Sequence, residues 1–303
     1  MIALRQCSTA LFLESCSVAP LGATWMKGLL TVVRRRLDVE LVRRGLAESR
    51  EAARALIAAG LVQVANTVAS KAARRTAPDE PIELVGPPPR FVSRGGVKLE
   101  AALEAFALDV EGGRAIDVGA STGGFTDCLL QRGAEAVTSI DVGYGQLHER
   151  LRADPRVSVR ERTHIRDCRP EDVGGRVPLV VVDVSFISLS SVLGALLGLL
   201  DEGGRIVALV KPQFEAGRAE ADRGRGVIRD ASVWRRVLIA LRSDVEARGA
   251  AMMGLMISPI TGARGNVEFF ALIGRSAAAS ASRVDDAAID AIVDEALRRG
   301  HPR

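Results

Sequence analysis

The sequence predicts an α/β protein: a Rossmann-like, doubly wound and mainly parallel sheet, preceded by a small α+β domain. Three observations predict it. From Arg114 onward, short apolar runs alternate with helical periodicity, the pattern of strands joined by crossover helices. One run opens into the glycine-rich turn Asp117-Val118-Gly119-Ala120-Ser121-Thr122-Gly123-Gly124-Phe125, and a helical pattern follows at once. Upstream, Gly86-Pro87-Pro88-Pro89 interrupts all regular structure and separates a distinct basic segment from the rest.

A chain of 303 residues has room for about two domains, and its 48% hydrophobic content excludes global disorder. The net charge is only +4. Between Arg34 and Arg94, however, twelve Lys and Arg face seven Asp and Glu, so the whole excess lies in that early segment. A basic module beside a near-neutral domain points to a polyanionic partner, most simply nucleic acid. The four cysteines, Cys7, Cys16, Cys128 and Cys168, form no Cys-x-x-Cys pair, and there are only three histidines. A metal site and a disulfide framework are therefore not expected. The longest apolar run, 192–200, falls short of the ~20 residues that span a bilayer and reads as a core helix. A soluble cytoplasmic protein without a membrane partner is expected.

Residues 1–33 match nothing downstream and lack the pattern of a secretory signal. They are expected to be a disordered extension or the product of an upstream start, with Met26 or Val33 as alternative beginnings. Residues 34–85 form the small basic domain. Leu37, Leu41, Val42 and Leu46 recur at helical spacing up to Gly45. Ser49 reads as the N-cap of a second helix over 50–59, stopped by Gly60. Segments 61–64 and 82–85 read as strands. Arginines crowd the helical half, and Lys71, Arg74 and Arg75 follow in the loop. Two short helices and a small sheet with arginines on one side make a surface that reads RNA shape.

The segment resembles the small RNA-binding domain first known from a ribosomal small-subunit protein. The residues that carry the resemblance are Arg36-Leu37-Asp38, Leu41, Arg44-Gly45, Ser49-Arg50, Ala53, Leu56-Ile57 and Gly60-Leu61-Val62. Its usual Asn/Asp-Gly strand turn is replaced here by Asn66-Thr67.

Residues 86–92 form the linker, and 93–275 the larger domain. Ser93-Arg94-Gly95-Gly96 precedes a helix over 97–106 with Leu99, Leu103 and Phe106 on one face. Lys98 lies in its first turn, where a cation opposes the helix dipole, so a role other than local stability is expected of it. Strands are predicted at 114–118, 136–141, 157–160, 179–183, 205–210, 252–258 and 267–273. The last two have no helix between them and should be antiparallel neighbours at one edge. Residues 276–303 are expected to be a peripheral tail containing a helix over 287–299.

Placed on this sheet, the polar residues gather. Asp117 ends the first strand, Asp141 the second, Asp183 the fourth and Lys211 the fifth, while Glu268 begins the last. Ligands of doubly wound sheets bind outside the carboxyl ends of the strands. The glycine turn brings backbone close to a ligand there, and Asp141 stands where a carboxylate binds the hydroxyls of a nucleoside ribose. The turn lacks the Gly-Lys-Ser/Thr of a phosphate loop and a strict Gly-x-Gly-x-x-Gly, and no arginine cluster awaits a pyrophosphate. A nucleoside without phosphate remains, which suits S-adenosylmethionine.

Residues 34–273 resemble the TlyA family of rRNA 2′-O-methyltransferases, with an FtsJ-like catalytic domain. The matching stretches are 92–99, 117–125, Asp141-Val142-Gly143-Tyr144-Gly145-Gln146-Leu147, Asp183-Val184-Ser185-Phe186-Ile187-Ser188-Leu189, 209–215 and 265–270. The resemblance implies a catalytic tetrad of Lys98, Asp183, Lys211 and Glu268. It implies a cofactor site formed by residues 117 and 119–125, Asp141, Val142, Asp183 and His164; the last replaces the family's Asn in Arg-Thr-Asn. It also implies ribosomal RNA or ribosomal subunits as partner, with Arg34, Arg36, Arg50, Lys71, Arg94, Arg166 and Arg218 as expected contacts. The tetrad makes chemical sense. A ribose hydroxyl is a poor nucleophile at neutral pH, and a partly desolvated lysine near another cation can take its proton. Lys211 is expected in that role, beside Lys98. Asp183 is expected to position Lys211, and Glu268 to orient Lys98 or the ribose. Two rivals are a non-catalytic RNA-binding assembly factor and a membrane-active haemolysin, a name that family members have carried.

Overall fold

The computed structural model describes residues 34–47, 49–86, 89–262, 265–275 and 284–299. The expectation for residues 1–33 lies outside them. In the small domain, strand β1 (Arg35–Arg36) leads into helix α1 (Leu37–Arg43), and helix α2 (Arg50–Ala58) follows. Ser49 caps α2 as predicted, its Oγ accepting from the Ala52 amide at 3.1 Å. Strands β2 (Val62–Val64), β3 (Thr67–Val68) and β5 (Ile82–Leu84) form one small antiparallel sheet, while β4 (Arg75–Thr76) pairs with β1. Leu37, Leu41, Ile57, Val62 and Val64 close a separate core between helices and sheet. The tight turn from β2 to β3 differs from the sequence reading. Val64 pairs with Thr67, so the two turn residues are Ala65 and Asn66, with φ of 50° and 61°. Two left-handed residues match the right-handed twist of a hairpin, which is why the register shifts by one from Asn66-Thr67.

The larger domain begins with helix α3 (Gly95–Ala105) and builds a seven-stranded sheet. Strand β6 (Arg114–Val118), helix α4 (Gly124–Gln131), strand β7 (Ala136–Ile140), helix α5 (Glu149–Arg152) and strand β8 (Val157–Arg160) wind outward in one direction. The chain then returns to the other side of β6 with strand β9 (Val177–Val182), helix α6 (Leu193–Gly198) and strand β10 (Leu200–Val210). Two short helices, α7 (Pro212–Glu215) and α8 (Arg218–Arg223), precede the long α9 (Ala231–Ala247). Strand β11 (Ala250–Ile257) forms the edge, and β12 (Phe269–Arg275) inserts antiparallel between it and β10. The order is β11-β12-β10-β9-β6-β7-β8, parallel throughout except for β12.

Alternation along the strands sends side chains to two faces. Ile116, Val180 and Ile206 meet α6 and α9 on one face; Leu179, Val181 and Val207 meet α3 and α4 on the other. Helix α10 (Asp286–Arg299) departs from the peripheral role expected of the tail. Its Ile289, Val293 and Ala296 are buried in the same core as Trp234 and Val245 of α9. Three small or branched apolar residues at spacings of four and three make one helix stripe, and that stripe closes the sheet's outer edge.

The topology fixes where a ligand belongs. The winding direction reverses between β6 and β9, so the switch-point crevice opens at their carboxyl ends. Asp183 follows β9 and Lys211 follows β10. Val210 faces Phe269 in the β10–β12 register, so one further step sets Lys211 opposite Glu268. Adjacent strands lie ~4.8 Å apart, close enough for side chains at their ends to bond directly.

Candidate active site

Two lysine–carboxylate pairs occupy this crevice. Lys98, on the first turn of α3, donates to Glu268 Oε2 at 2.5 Å, and both are nearly buried, with 8% and 3% exposure. Lys211 pairs with Asp183 and donates to Ser185 Oγ at 2.8 Å; its exposure is 9%. Each lysine is thus engaged by a carboxylate of its own. The contacts pair Glu268 with Lys98 and Asp183 with Lys211. A buried pair of this kind is costly to break, because removing one partner strands the other; the cost is about 3–5 kcal/mol. Two residues before Glu268, the chain is anchored to the 226–228 segment. Asn266 is buried, accepts from the Ile228 amide at 2.9 Å, and donates to the Gly226 carbonyl at 2.8 Å.

The glycine-rich turn lies beside these pairs. Gly119 has φ of 84°, and any side chain there would collide with the backbone carbonyl of Asp183. Glycine is what lets the β6 and β9 loops meet. Gly119 and Ala120 donate their amides to the Ile140 carbonyl at 2.8 and 3.2 Å. Ser121 donates its amide to Asp141 Oδ2 at 2.8 Å, and Gly143 donates to Oδ1 at 2.7 Å. The Thr122 carbonyl accepts from the His148 amide at 3.2 Å. Gly123 caps α4, Gly124 begins it, and Phe125 is buried with its ring 6.2 Å from Phe270. Asp141 is therefore fixed by backbone donors, one to each oxygen. Every carboxylate oxygen has a second lone pair, so capacity for ribose hydroxyls remains. Val142, next in sequence, is an exposed apolar side chain.

Asp117 is fully buried in β6. Its Oδ2 accepts from the Thr126 amide at 2.9 Å and the Thr126 hydroxyl at 2.7 Å, while Oδ1 has no partner. Burial pushes this carboxyl up to about 7; the nearby Asp183 and Asp141 charges push the same way against the Thr126 bonds. A buried carboxylate oxygen without a partner costs about 1–3 kcal/mol or more, and a cationic ligand group removes that cost. Together with the side-chain-free turn at Gly119, this donor set fits a nucleoside cofactor with a cationic end. His164 follows Thr163, whose amide donates to the Asp141 carbonyl at 3.0 Å. Its Nδ1 accepts from the Arg166 amide at 3.1 Å, which leaves Nε2 as the outward nitrogen.

Several residues in the site carried no assigned role in the sequence reading. Ser185 bonds Lys211. Phe186 beside it is 91% exposed with φ of 63°, and its ring lies 5.0 Å from that of Phe214. A bulky residue held in the left-handed region costs about 1–3 kcal/mol and marks functional loops. Glu215 accepts from the Ser188 hydroxyl and the Leu189 amide, both at 2.7 Å, and burial raises its carboxyl above the ordinary range. The available signal was position: all three lie within a few residues of a strand's carboxyl end.

The expected RNA contacts divide into groups. Arg36 and Arg50 donate to Asp38 at 2.9 and 3.2 Å, as does Arg54 at 3.2 Å, and Asp38 is completely buried. Arg43 and Arg44 hold buried Glu40 in the same way. These arginines therefore serve the fold, yet Arg36, Arg50 and Arg54 remain about half exposed and share one carboxylate. Lys71 is exposed, and so is Arg34, whose carbonyl accepts from Arg75 at 3.0 Å. Arg166 donates to the Ser191 carbonyl at 3.0 Å. Arg94 lines a cleft of about 550 Å³ with Ala58 and Ala59 at the end of α2, Ser258, Glu268 and Arg299. This cleft joins the small domain to the tetrad. The side chain of Arg218 lies outside the described residues.

Fold and site together define a cofactor-dependent methyltransferase domain with an RNA-binding module ahead of it. Residues 91–275 match the FtsJ-like methyltransferase family and 35–80 the S4 domain. The chain is 50% identical over 238 residues to the 16S/23S rRNA (cytidine-2′-O)-methyltransferase TlyA of Mycobacterium tuberculosis, covering 78% of this chain and 88% of that one. It is 40% identical to Hemolysin A of Brachyspira hyodysenteriae, over 78% of this chain and 98% of that one. A solved structure from Streptococcus thermophilus that carries a hemolysin designation superposes with a TM-score of 0.70 at 40% identity, covering 88% and 97% of the two chains. The chain belongs to the TlyA family. Among the described residues, no helix is long and apolar enough to cross a membrane, and no His, Cys, Asp and Glu group is arranged to hold a metal ion.

Proposed function

We propose that this protein is an S-adenosylmethionine-dependent methyltransferase that methylates a ribose 2′-hydroxyl, that of a cytidine, in ribosomal RNA. The observation that carries the reading is the pair of buried lysine–carboxylate contacts, Lys98–Glu268 and Lys211–Asp183, at the switch point beside the partnerless Asp117 oxygen. Ribosomal RNA or an assembled subunit is the polyanionic partner, and the cytoplasm is where the two meet.

When bound, the cofactor supplies an electrophilic methyl group on a sulfonium. The chain does the rest. Asp117 holds the cofactor's cationic end, Asp141 its ribose hydroxyls, and Val142 and His164 border its base. The backbone of residues 119–125 admits it closely. Lys211, in its free-amine form, takes the proton of the attacking hydroxyl; Asp183 fixes the direction of its Nζ. Lys98, held by Glu268, places a positive charge at the end of the cleft lined by Arg94, through which RNA from the basic module arrives. Phe186 offers an exposed ring on which a base can stack. Fixing both substrates in line supplies much of the remaining rate.

Labelled methyl transfer from S-adenosylmethionine to isolated ribosomal subunits, followed by digestion to nucleosides, tests the reading. Label in 2′-O-methylcytidine is the expected result. Label confined to base positions, or none from folded, cofactor-binding protein, overturns it.

A further inference from the structure

The structure assigns Ser185 a direct part in the reaction: we propose that its hydroxyl contacts the attacking ribose hydroxyl and links it to Lys211. The inference rests on the functional reading above and adds a catalytic residue to it.

Lys211 is nearly buried, and its Nζ is already in contact with Asp183. A ribose entering from the cleft meets little of it. Ser185 is exposed, and its Oγ lies 2.8 Å from Lys211 Nζ. It is thus a polar group with one side on the buried lysine and the other on the open crevice. A serine hydroxyl has one proton and two acceptor lone pairs. The contact with Lys211 uses one of these valences and leaves the others for a substrate.

The geometry is also held from behind. The loop that carries Ser185 is tied to the segment that carries Lys211 at three further places. Glu215 accepts from the Ser188 hydroxyl and the Leu189 amide, and the rings of Phe186 and Phe214 are in contact. Asp183 pairs directly with Lys211. A serine on a free loop would not hold a fixed distance to a neighbouring lysine. Here both ends of the 185–189 stretch are pinned to residues 211–215, so the Ser185–Lys211 contact is built into the fold.

The proton balance closes. The ribose hydroxyl passes its proton to Ser185 Oγ while the Ser185 proton passes to the free amine of Lys211. Ser185 ends unchanged and Lys211 ends as the ammonium. The same short contact serves before and after, with donor and acceptor exchanged.

Ser185→Ala and Ser185→Thr test this in single-turnover methyl transfer to ribosomal RNA, with cofactor and RNA dissociation constants and the melting temperature measured alongside. Ser185→Ala is expected to lose ~10²-fold in single-turnover rate, at the lower end for general acid–base groups. Both dissociation constants should stay within twofold. Ser185→Thr, which keeps the hydroxyl, should recover most of the rate. A merely structural serine would move the dissociation constants and the melting temperature and would not be rescued by threonine. An active wild-type protein whose alanine variant stays within threefold of it overturns the inference alone. A wild-type protein that binds cofactor and transfers no methyl overturns the functional reading, and this inference with it.

Discussion

Asp117 is the residue from which the proposed cofactor site draws a pH dependence. Its carboxyl sits at about 7 because it is buried, with one oxygen unpartnered. Folding raises this pKa above that of the unfolded chain, about 3.9. The sign follows: the neutral form is the one the fold tolerates, so the contribution to stability declines as pH rises from about 4 to about 7. A cationic ligand group reverses the preference and favours the carboxylate. Cofactor binding near pH 7 should therefore release a proton, and affinity should strengthen as pH rises through 7 and then level off. Calorimetry in buffers of different ionisation enthalpy checks this, and Asp117→Asn should abolish the pH dependence. Cys128 makes an instructive contrast. It too is buried, and its thiol is pushed up to about 12, but a neutral thiol is content there and has no demand for a ligand.

At the scale of elements, the small domain shows why sequence patterns were readable and where they stopped. Its helices followed from apolar spacing and the Ser49 cap, because both are local signals. Its buried carboxylates did not, because Asp38 and Glu40 look like surface residues until the arginines fold over them. Arg36 donates to Asp38 and holds that carboxyl well below the usual range; Arg43 does the same to Glu40, down to about 2. Both are lowered relative to the unfolded chain, so their stabilisation is complete above about pH 4 and lost as pH falls through the folded values. The module should unfold in acid below about pH 4, and Asp38→Asn should be less sensitive to that fall; a circular-dichroism pH titration checks it. The β2–β3 turn gives a second prediction. Ala65 occupies a left-handed conformation that costs an L-residue about 1–2 kcal/mol, against about 0.5–1 kcal/mol of extra chain entropy for glycine. Ala65→Gly should therefore raise stability by up to about 1 kcal/mol, measurable as a higher denaturation midpoint.

At the scale of the whole molecule, the sheet explains how much of the site was legible. Strand ends collect at one edge in any doubly wound fold, so Asp117, Asp141, Asp183, Lys211 and Glu268 could be gathered from sequence alone. Which carboxylate holds which lysine could not, since that depends on β12 inserting beside β10 and on α3 bringing Lys98 across to Glu268. The role of α10 was equally hidden, because its stripe acquires meaning only against α9. The same scale governs RNA binding. Affinity for ribosomal RNA should fall steeply and linearly in log–log form with salt. Lys71→Ala, at an exposed position, should reduce that slope by about one, whereas Arg36→Ala should also lower stability, since it loosens Asp38. Filter binding across a salt series separates the two.

In the proposed reaction Lys211, held by Asp183 in this crevice, activates the ribose hydroxyl. The most direct test is Lys211→Ala assayed in parallel for methyl transfer to ribosomal subunits and for S-adenosylmethionine affinity. The expected result is a loss of ~10²–10⁴-fold or more in transfer rate with cofactor affinity nearly unchanged. Transfer near the wild-type rate would contradict it.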